Sequence, residues 1–235
     1  MADPSLQLDR DGATLFPSFC TPATGRELER ILPTDRIDAG VRIFGNVSLS
    51  RWLSGKRILD LVRSKMGSRA KPVRAILFDK TANSHWVLGW HQDRTIAVCE
   101  RLEQPGFDHW TTKSGVCHVE PPFSVIENML TARIHLDAVT KSNSPLLVAP
   151  GSHKFGLIKE AQVDAVAEHC GVRACLADAG DVWLYHTAIL HSSEKSRSDR
   201  PRRVLQVDFS GDELPGGLQW LGIGELPLER AKASS

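Results

Sequence analysis

The 235-residue chain has no Cys-x-x-Cys pair; its cysteines stand singly at 20, 99, 117, 170 and 175. An odd, scattered set suggests neither a disulfide framework nor a zinc ribbon, and it reads as reduced thiols in a cytoplasmic protein. Long apolar runs are also missing. The longest, such as Leu146 to Val148 and Val182 to Leu184, fall far short of a membrane span, and the start, Met1-Ala-Asp-Pro, has no basic stretch followed by an apolar one. A soluble, unexported protein is expected. Excess charge of one sign is absent as well: 29 Lys+Arg face 28 Asp+Glu, a formal charge of +1. Nothing here resembles the polyelectrolyte signature that a generic nucleic-acid or anionic-membrane binder needs. Lys195 to Arg203 holds five basic residues, but Glu194 and Asp199 dilute them and no aromatics interleave, so it reads as a solvated hairpin. Internal repeats, low-complexity segments and a Gly-x-Ser-x-Gly nucleophile elbow are all lacking.

What is present is a globular composition, 41% apolar and 24% charged, in a length suited to one domain over 1–235. Residues 1–72 read as a strand region, Leu6 to Phe19 with the turn signal Asp11-Gly12, followed by two amphipathic helices. Thr24 is placed to cap the first, which carries Leu28, Ile31 and Leu32; the second spans about Gly55 to Met66, with Gly67 as its stop. Residues 73–211 turn to short β-rich runs: Val73 to Phe78, His85 to Trp90, Thr95 to Val98, Leu130 to Leu136, Leu146 to Ala149, Val182 to Tyr185 and Arg203 to Phe209. Many short strands without intervening helices predict an antiparallel sandwich or barrel. Residues 100–128, with three prolines and two glycines, form a long connection suited to a lid, and 212–235 form a C-terminal tail.

Histidine is the informative residue. Nine lie along the β-rich part, and two head His-x-Asp triplets, His91-Gln92-Asp93 and His135-Leu136-Asp137. On a strand, i and i+2 share a face, so each triplet sets an imidazole beside a carboxylate. One distant histidine added to either would complete the facial triad that holds non-haem Fe(II) with coordination positions left open. His186 and His191 compete for that distal place, and His153 in a Pro-Gly-Ser-His turn reads as a turn histidine.

The order Trp90-His91-Gln92-Asp93, then Asn143-Ser-Pro-Leu-Leu-Val-Ala-Pro-Gly-Ser-His153, then Gly180-Asp181 leading to His191-Ser192-Ser193 and Arg202-Arg203, resembles the phytanoyl-CoA dioxygenase family. The resemblance runs from about Val73 to Phe209. It implies a double-stranded β-helix, a jelly-roll barrel of the cupin-like kind, mainly β with flanking helices. It further implies an oxygenase using Fe(II), 2-oxoglutarate and O2, with succinate as a product. Carried over by position, His91, Asp93 and His191 correspond to the iron ligands, and Arg202 to the partner of the cosubstrate's far carboxylate. Ser193 is placed to donate to that carboxylate, and Gln92 resembles a position that touches the cosubstrate. As the middle residue of its triplet, Gln92 should nevertheless point away from the metal on a regular strand. Arg202 and Arg203 must face opposite ways, so only one of them enters the barrel. Ser144 stands where the family usually has glycine, at a strain cost if the turn needs positive φ. Relatives that halogenate carry a small residue at the position of Asp93, so its presence implies an oxygenating enzyme.

The sequence thus predicts hydroxylation of a small, amino-acid-like or natural-product molecule, with Trp86, Trp110, His118 and Phe123 as substrate contacts. An iron-only cupin-type enzyme would keep the triad without needing Arg202, and a catalytically silent barrel acting as a binding module would not turn over the cosubstrate.

Overall fold

The computed structural model describes residues 6–33, 40–55, 57–80, 88–194 and 202–225. Thirteen strands are described: β1 (Ala13–Phe16), β2 (Gly40–Ile43), β3 (Lys71–Lys80), β4 (Leu88–His91), β5 (Ile96–Val98), β6 (Asp108–Lys113), β7 (Val116–Glu120), β8 (Leu130–His135), β9 (Leu146–Val148), β10 (Arg173–Cys175), β11 (Val182–His186), β12 (His191–Ser193) and β13 (Arg202–Ser210). The helices are α1 (Leu8–Asp11), α2 (Pro22–Ile31), α3 (Val47–Ser54), α4 (Arg57–Met66), α5 (Phe123–Glu127) and α6 (Val163–Cys170).

Two antiparallel sheets build the jelly roll. The larger runs β1-β11-β8-β13-β3-β2, the smaller β10-β9-β12-β4, and a separate β5-β7-β6 sheet flanks them. Period-two alternation gives the larger sheet two different faces. Ala75 and Leu77, Ala132 and Ile134, Val182 and Leu184, and Leu205, Val207 and Phe209 meet Leu28, Leu49, Trp52, Leu53, Ile58 and Val62 of α2, α3 and α4 in one core. Their alternate neighbours point between the sheets. Trp183, Tyr185 and Val204 there join Leu146, Val148 and Cys175 of the smaller sheet in a second core. The helical layer therefore fixes strand phase: a one-residue slip would drive Arg133 and Gln206 into the helix interface.

Several local features differ from the sequence expectation. Asp11-Gly12 ends not a strand turn but the single helical turn α1, with Gly12 at φ 81°. The cap of α2 is Thr21, whose hydroxyl accepts from the Thr24 amide at 3.2 Å, with Pro22 suited to the first helical turn. Residues 100–128 are not an open connection: they hold the β6–β7 hairpin and α5, whose apolar side chains form a third core with Val73, Val98 and Trp220.

Candidate metal centre

The site is built where the smaller sheet's β4 and β12 pair. His91 and His191 are direct cross-strand partners, with ring centroids 4.2 Å apart. Asp93 follows just beyond the end of β4. One ligand atom from each of His91, Asp93 and His191 lies within 4.8 Å of the others. Both imidazoles are oriented by their own backbone: Nδ1 of His91 meets the Gly89 carbonyl at 2.8 Å, and Nδ1 of His191 meets that of Ile189 at 3.0 Å. Nε2 of each ring is then the nitrogen left for a metal, and the carbonyl fixes the tautomer.

Charge is arranged to suit a cation. Burial opposes ionisation of Asp93, but neighbouring positive charge, that of Arg74 foremost, outweighs it, and its carboxyl stays below the usual range. Arg74 Nη2 donates to Asp93 at 3.3 Å, Nη1 donates to the Thr95 carbonyl at 3.1 Å, and Nε donates to the buried Asp208. Burial foremost, then His91, pushes His191 down to about 4, which keeps the ring neutral and able to coordinate. Two imidazoles and one carboxylate, held by partners outside the set and facing a shared cavity, fit a divalent transition metal of the Fe(II) kind.

The same cavity, of about 630 Å³, is also lined by Arg202 and Ser193. Arg202 is 3% exposed, its Nη1 donates to the Ser144 carbonyl, and burial followed by the charge of Arg133 lowers it to about 9. Ser144 sits at φ 61°, the left-handed conformation at which serine bears strain, while its hydroxyl reaches Ser193 at 3.1 Å and also the Glu194 carbonyl. Arg203 faces the other way, in a two-pronged pair with Asp137 at 2.7 and 2.8 Å and in an ion pair with Glu29.

That pairing removes the second His-x-Asp triplet as a metal site. Asp137 lies past the end of β8 and is turned outward, while His135 is buried with both ring nitrogens unpartnered. His186, the competing distal histidine, stacks on His153 at 4.6 Å beside a different cavity. Gln92 lines the same cavity as the triad, and its amide donates to the Gly156 and Ala188 carbonyls at 3.0 and 2.8 Å and accepts from the Ile158 amide at 2.9 Å. These bonds strap the ligand segment to two neighbouring loops. Trp110 and Phe123 pack on the third core and leave the cavity to His118, which lines it. Trp86 lies outside the described residues.

The reading of the sequence missed Arg74, Arg133 and Gln206. All three alternate with core residues on β3, β8 and β13. That pattern is shared by strands whose polar face meets solvent, so only the presence of a second sheet distinguishes the two cases.

The family model for phytanoyl-CoA dioxygenase matches residues 8–204. Among solved structures, the chain is similar to EctD from S. alaskensis with 2-oxoglutarate and 5-hydroxyectoine, at 18% identity and TM-score 0.61, covering 86% of this chain and 73% of that one. It is similar to SnoN, a non-heme alpha-ketoglutarate-dependent epimerase from nogalamycin biosynthesis, at 19% identity and TM-score 0.60, covering 89% and 85%. HygX from Streptomyces hygroscopicus, with nickel, 2-oxoglutarate and hygromycin B bound, gives 18% identity and TM-score 0.57, covering 86% and 84%. No curated protein matches the chain. Among the described residues, no helix is long and apolar enough to cross a membrane.

Proposed function

The chain belongs to the phytanoyl-CoA dioxygenase family of Fe(II)- and 2-oxoglutarate-dependent oxygenases, and from that premise we propose that it hydroxylates a small molecule. His91, Asp93 and His191 hold the iron, and Arg202 with Ser193 takes the far carboxylate of 2-oxoglutarate. When bound, iron and cosubstrate supply dioxygen activation: one oxygen atom enters the substrate C–H bond and the other enters succinate, with carbon dioxide released. The protein's own part is to position groups and exclude water. Arg74 keeps Asp93 anionic, backbone carbonyls hold each ligand ring by Nδ1, and the planar fork of Arg202 suits a carboxylate better than an ammonium would. Ile76, Phe78 and Trp90 give the cavity an apolar wall against which a carbon skeleton can lie. Structural relatives solved with 5-hydroxyectoine and hygromycin B are consistent with a small, soluble substrate.

The observation that carries this reading is the meeting of His91, Asp93 and His191 on the wall of the cavity that also contains Arg202. Anaerobic titration of the apo-protein with Fe(II) and 2-oxoglutarate tests it. A visible charge-transfer band that requires both, and is lost in Asp93→Ala and His191→Ala, is the expected result. Iron binding without the band would point to the iron-only enzyme. A folded protein that binds no iron would reduce the chain to a silent barrel.

A further inference from the structure

The cavity is more cationic than its proposed metal and cosubstrate require. Six positive side chains line it, Arg42, Arg74, Arg94, Lys113, Arg133 and Arg202, against two carboxylates, Asp93 and Glu160. Asp208 offsets one more from behind, through Arg74. Positive side chains thus outnumber carboxylates on these walls among the described residues, in a chain whose formal charge is only +1. A divalent iron and a 2-oxoglutarate dianion cancel each other, so the surplus persists in the loaded site. Narrow cavities with low-dielectric walls concentrate such a field.

Arg133 localises the effect. It is 5% exposed on β8, its Nη1 donates to the Gln206 side-chain oxygen at 2.9 Å, and its guanidinium lies over the Phe78 ring at 5.2 Å. Its buried Nε has no hydrogen-bond partner, and among the described residues no carboxylate forms an ion pair with it. A guanidinium does not escape burial by losing its proton, and beyond the nearby charge of Asp93 the described residues offer this one no carboxylate in contact, so it suits an anion brought in from outside. Of the two carboxylates of 2-oxoglutarate, the far one goes to Arg202 and the near one to the metal. The neighbourhood registers the same field: burial first, and then Arg74, Arg42 and Lys113, hold His118 down at about 4.

We propose that the substrate is an oxyanion, a carboxylate or phosphate monoester whose charged group docks on Arg133 while Arg42 and Lys113 draw it in. This rests on the oxygenase reading above and specifies the substrate class for the same site. The charged end anchors the molecule, and its carbon chain lies along Ile76 and Phe78 toward the metal.

The test uses anaerobic protein loaded with Fe(II) and 2-oxoglutarate, titrated with matched pairs: phenylacetate beside phenylacetamide, N-acetylglycine beside its amide, and phenyl phosphate beside phenol. Binding is read by ligand-observed NMR and by displacement of the charge-transfer band. Anionic members should bind about tenfold or more tightly than their neutral partners, and the difference should shrink as salt rises. The carboxylate and phosphate pairs report which oxyanion is preferred. Arg133→Gln should remove the difference while 2-oxoglutarate affinity stays within about threefold. Neutral partners that bind equally well, or no binding of any anion while the band forms, would overturn the proposal. So would an Arg133→Gln protein that loses the cosubstrate instead, because Arg133 would then belong to 2-oxoglutarate. If that variant does not fold, the Arg42→Gln/Lys113→Gln double variant must lower the anion preference, and an unchanged preference refutes the idea. A wild-type protein without the band would refute the oxygenase reading itself, a result distinguishable from all of these.

Discussion

Gln92 separates two accounts of the ligand segment, and its removal can be worked through quantitatively. Gln92→Ala deletes a side chain that bonds to Gly156, Ala188 and Ile158. Ala188 is 1% and Ile158 4% exposed, so water cannot replace the amide at those two groups, whereas the half-buried Gly156 can regain it. Two orphaned backbone groups at about 1–3 kcal/mol each give a loss centred near 4 kcal/mol. For a chain of this length that is a fall in Tm of about 8–16 °C. Because Gln92 lies between His91 and Asp93, loosening it should also weaken iron binding by about 10–100-fold, the usual range for groups that orient metal ligands. Thermal denaturation of apo-protein, with anaerobic titrations of iron and of 2-oxoglutarate, measures the three quantities independently. An unchanged Tm combined with a large selective loss of 2-oxoglutarate affinity would refute the strap and return Gln92 to the cosubstrate.

Other outcomes follow from the same geometry. Asp137→Ala should cost about 1–2 kcal/mol in a urea melt, since its pair with Arg203 is two-pronged but partly exposed, and should leave the charge-transfer band intact; loss of the band would reinstate the second triplet as a metal site. Ser144→Gly should be more stable than Ser144→Ala by about 1 kcal/mol, because only the glycine relieves the positive φ; equal melting curves would show the strain is absent. The stacked pair His153 and His186 is held neutral, burial being the first cause for both, with His153 at about 4. Their folded pKa values lie below the unfolded 6.5, so the unfolded chain takes up protons first. Stability should be flat above about pH 7 and decline as pH falls from 6.5 toward 4, and a His153→Gln/His186→Asn protein that keeps the same slope would refute the assignment.

The seven β-rich runs read between turn signals all contain strands; those of β3, β8, β9, β11 and β13 have apolar faces buried against the helices or between the sheets, and β5 packs in the third core. The β6–β7 hairpin escaped that reading. Asp108 to Lys113 is exposed at nearly every position, so no alternation marks it. The helix α3 escaped too, being eight residues long and serine-rich, with its start set by an Asn46 side chain that accepts from the Leu49 amide. At the site, spacing offered two His-x-Asp triplets and strand phase said only that one of Arg202 and Arg203 enters the barrel; the preference for the His91 triplet and for Arg202 came from the family resemblance. The choice between the two triplets was not, since it depends on Asp137 finding Arg203 across the sheet. Arg133 was illegible for a simpler reason: a buried cation on a strand has the same one-dimensional pattern as a solvated one.

The pairing of His91 with His191 also bears on how the protein reaches its native state. These residues come from opposite ends of the core sequence and meet only after the long chain between them has closed, so their contact is among the costliest in chain entropy. β4 holds the small sheet by its edge alone, next to β12, through a ladder whose register shifts between His191 and Ser193. An ion gripped by both strands would act as a clasp on the closing seam. Hydrogen exchange should therefore find the β4 and β12 amides among the earliest to open in metal-free protein, and the ones most slowed when iron is added.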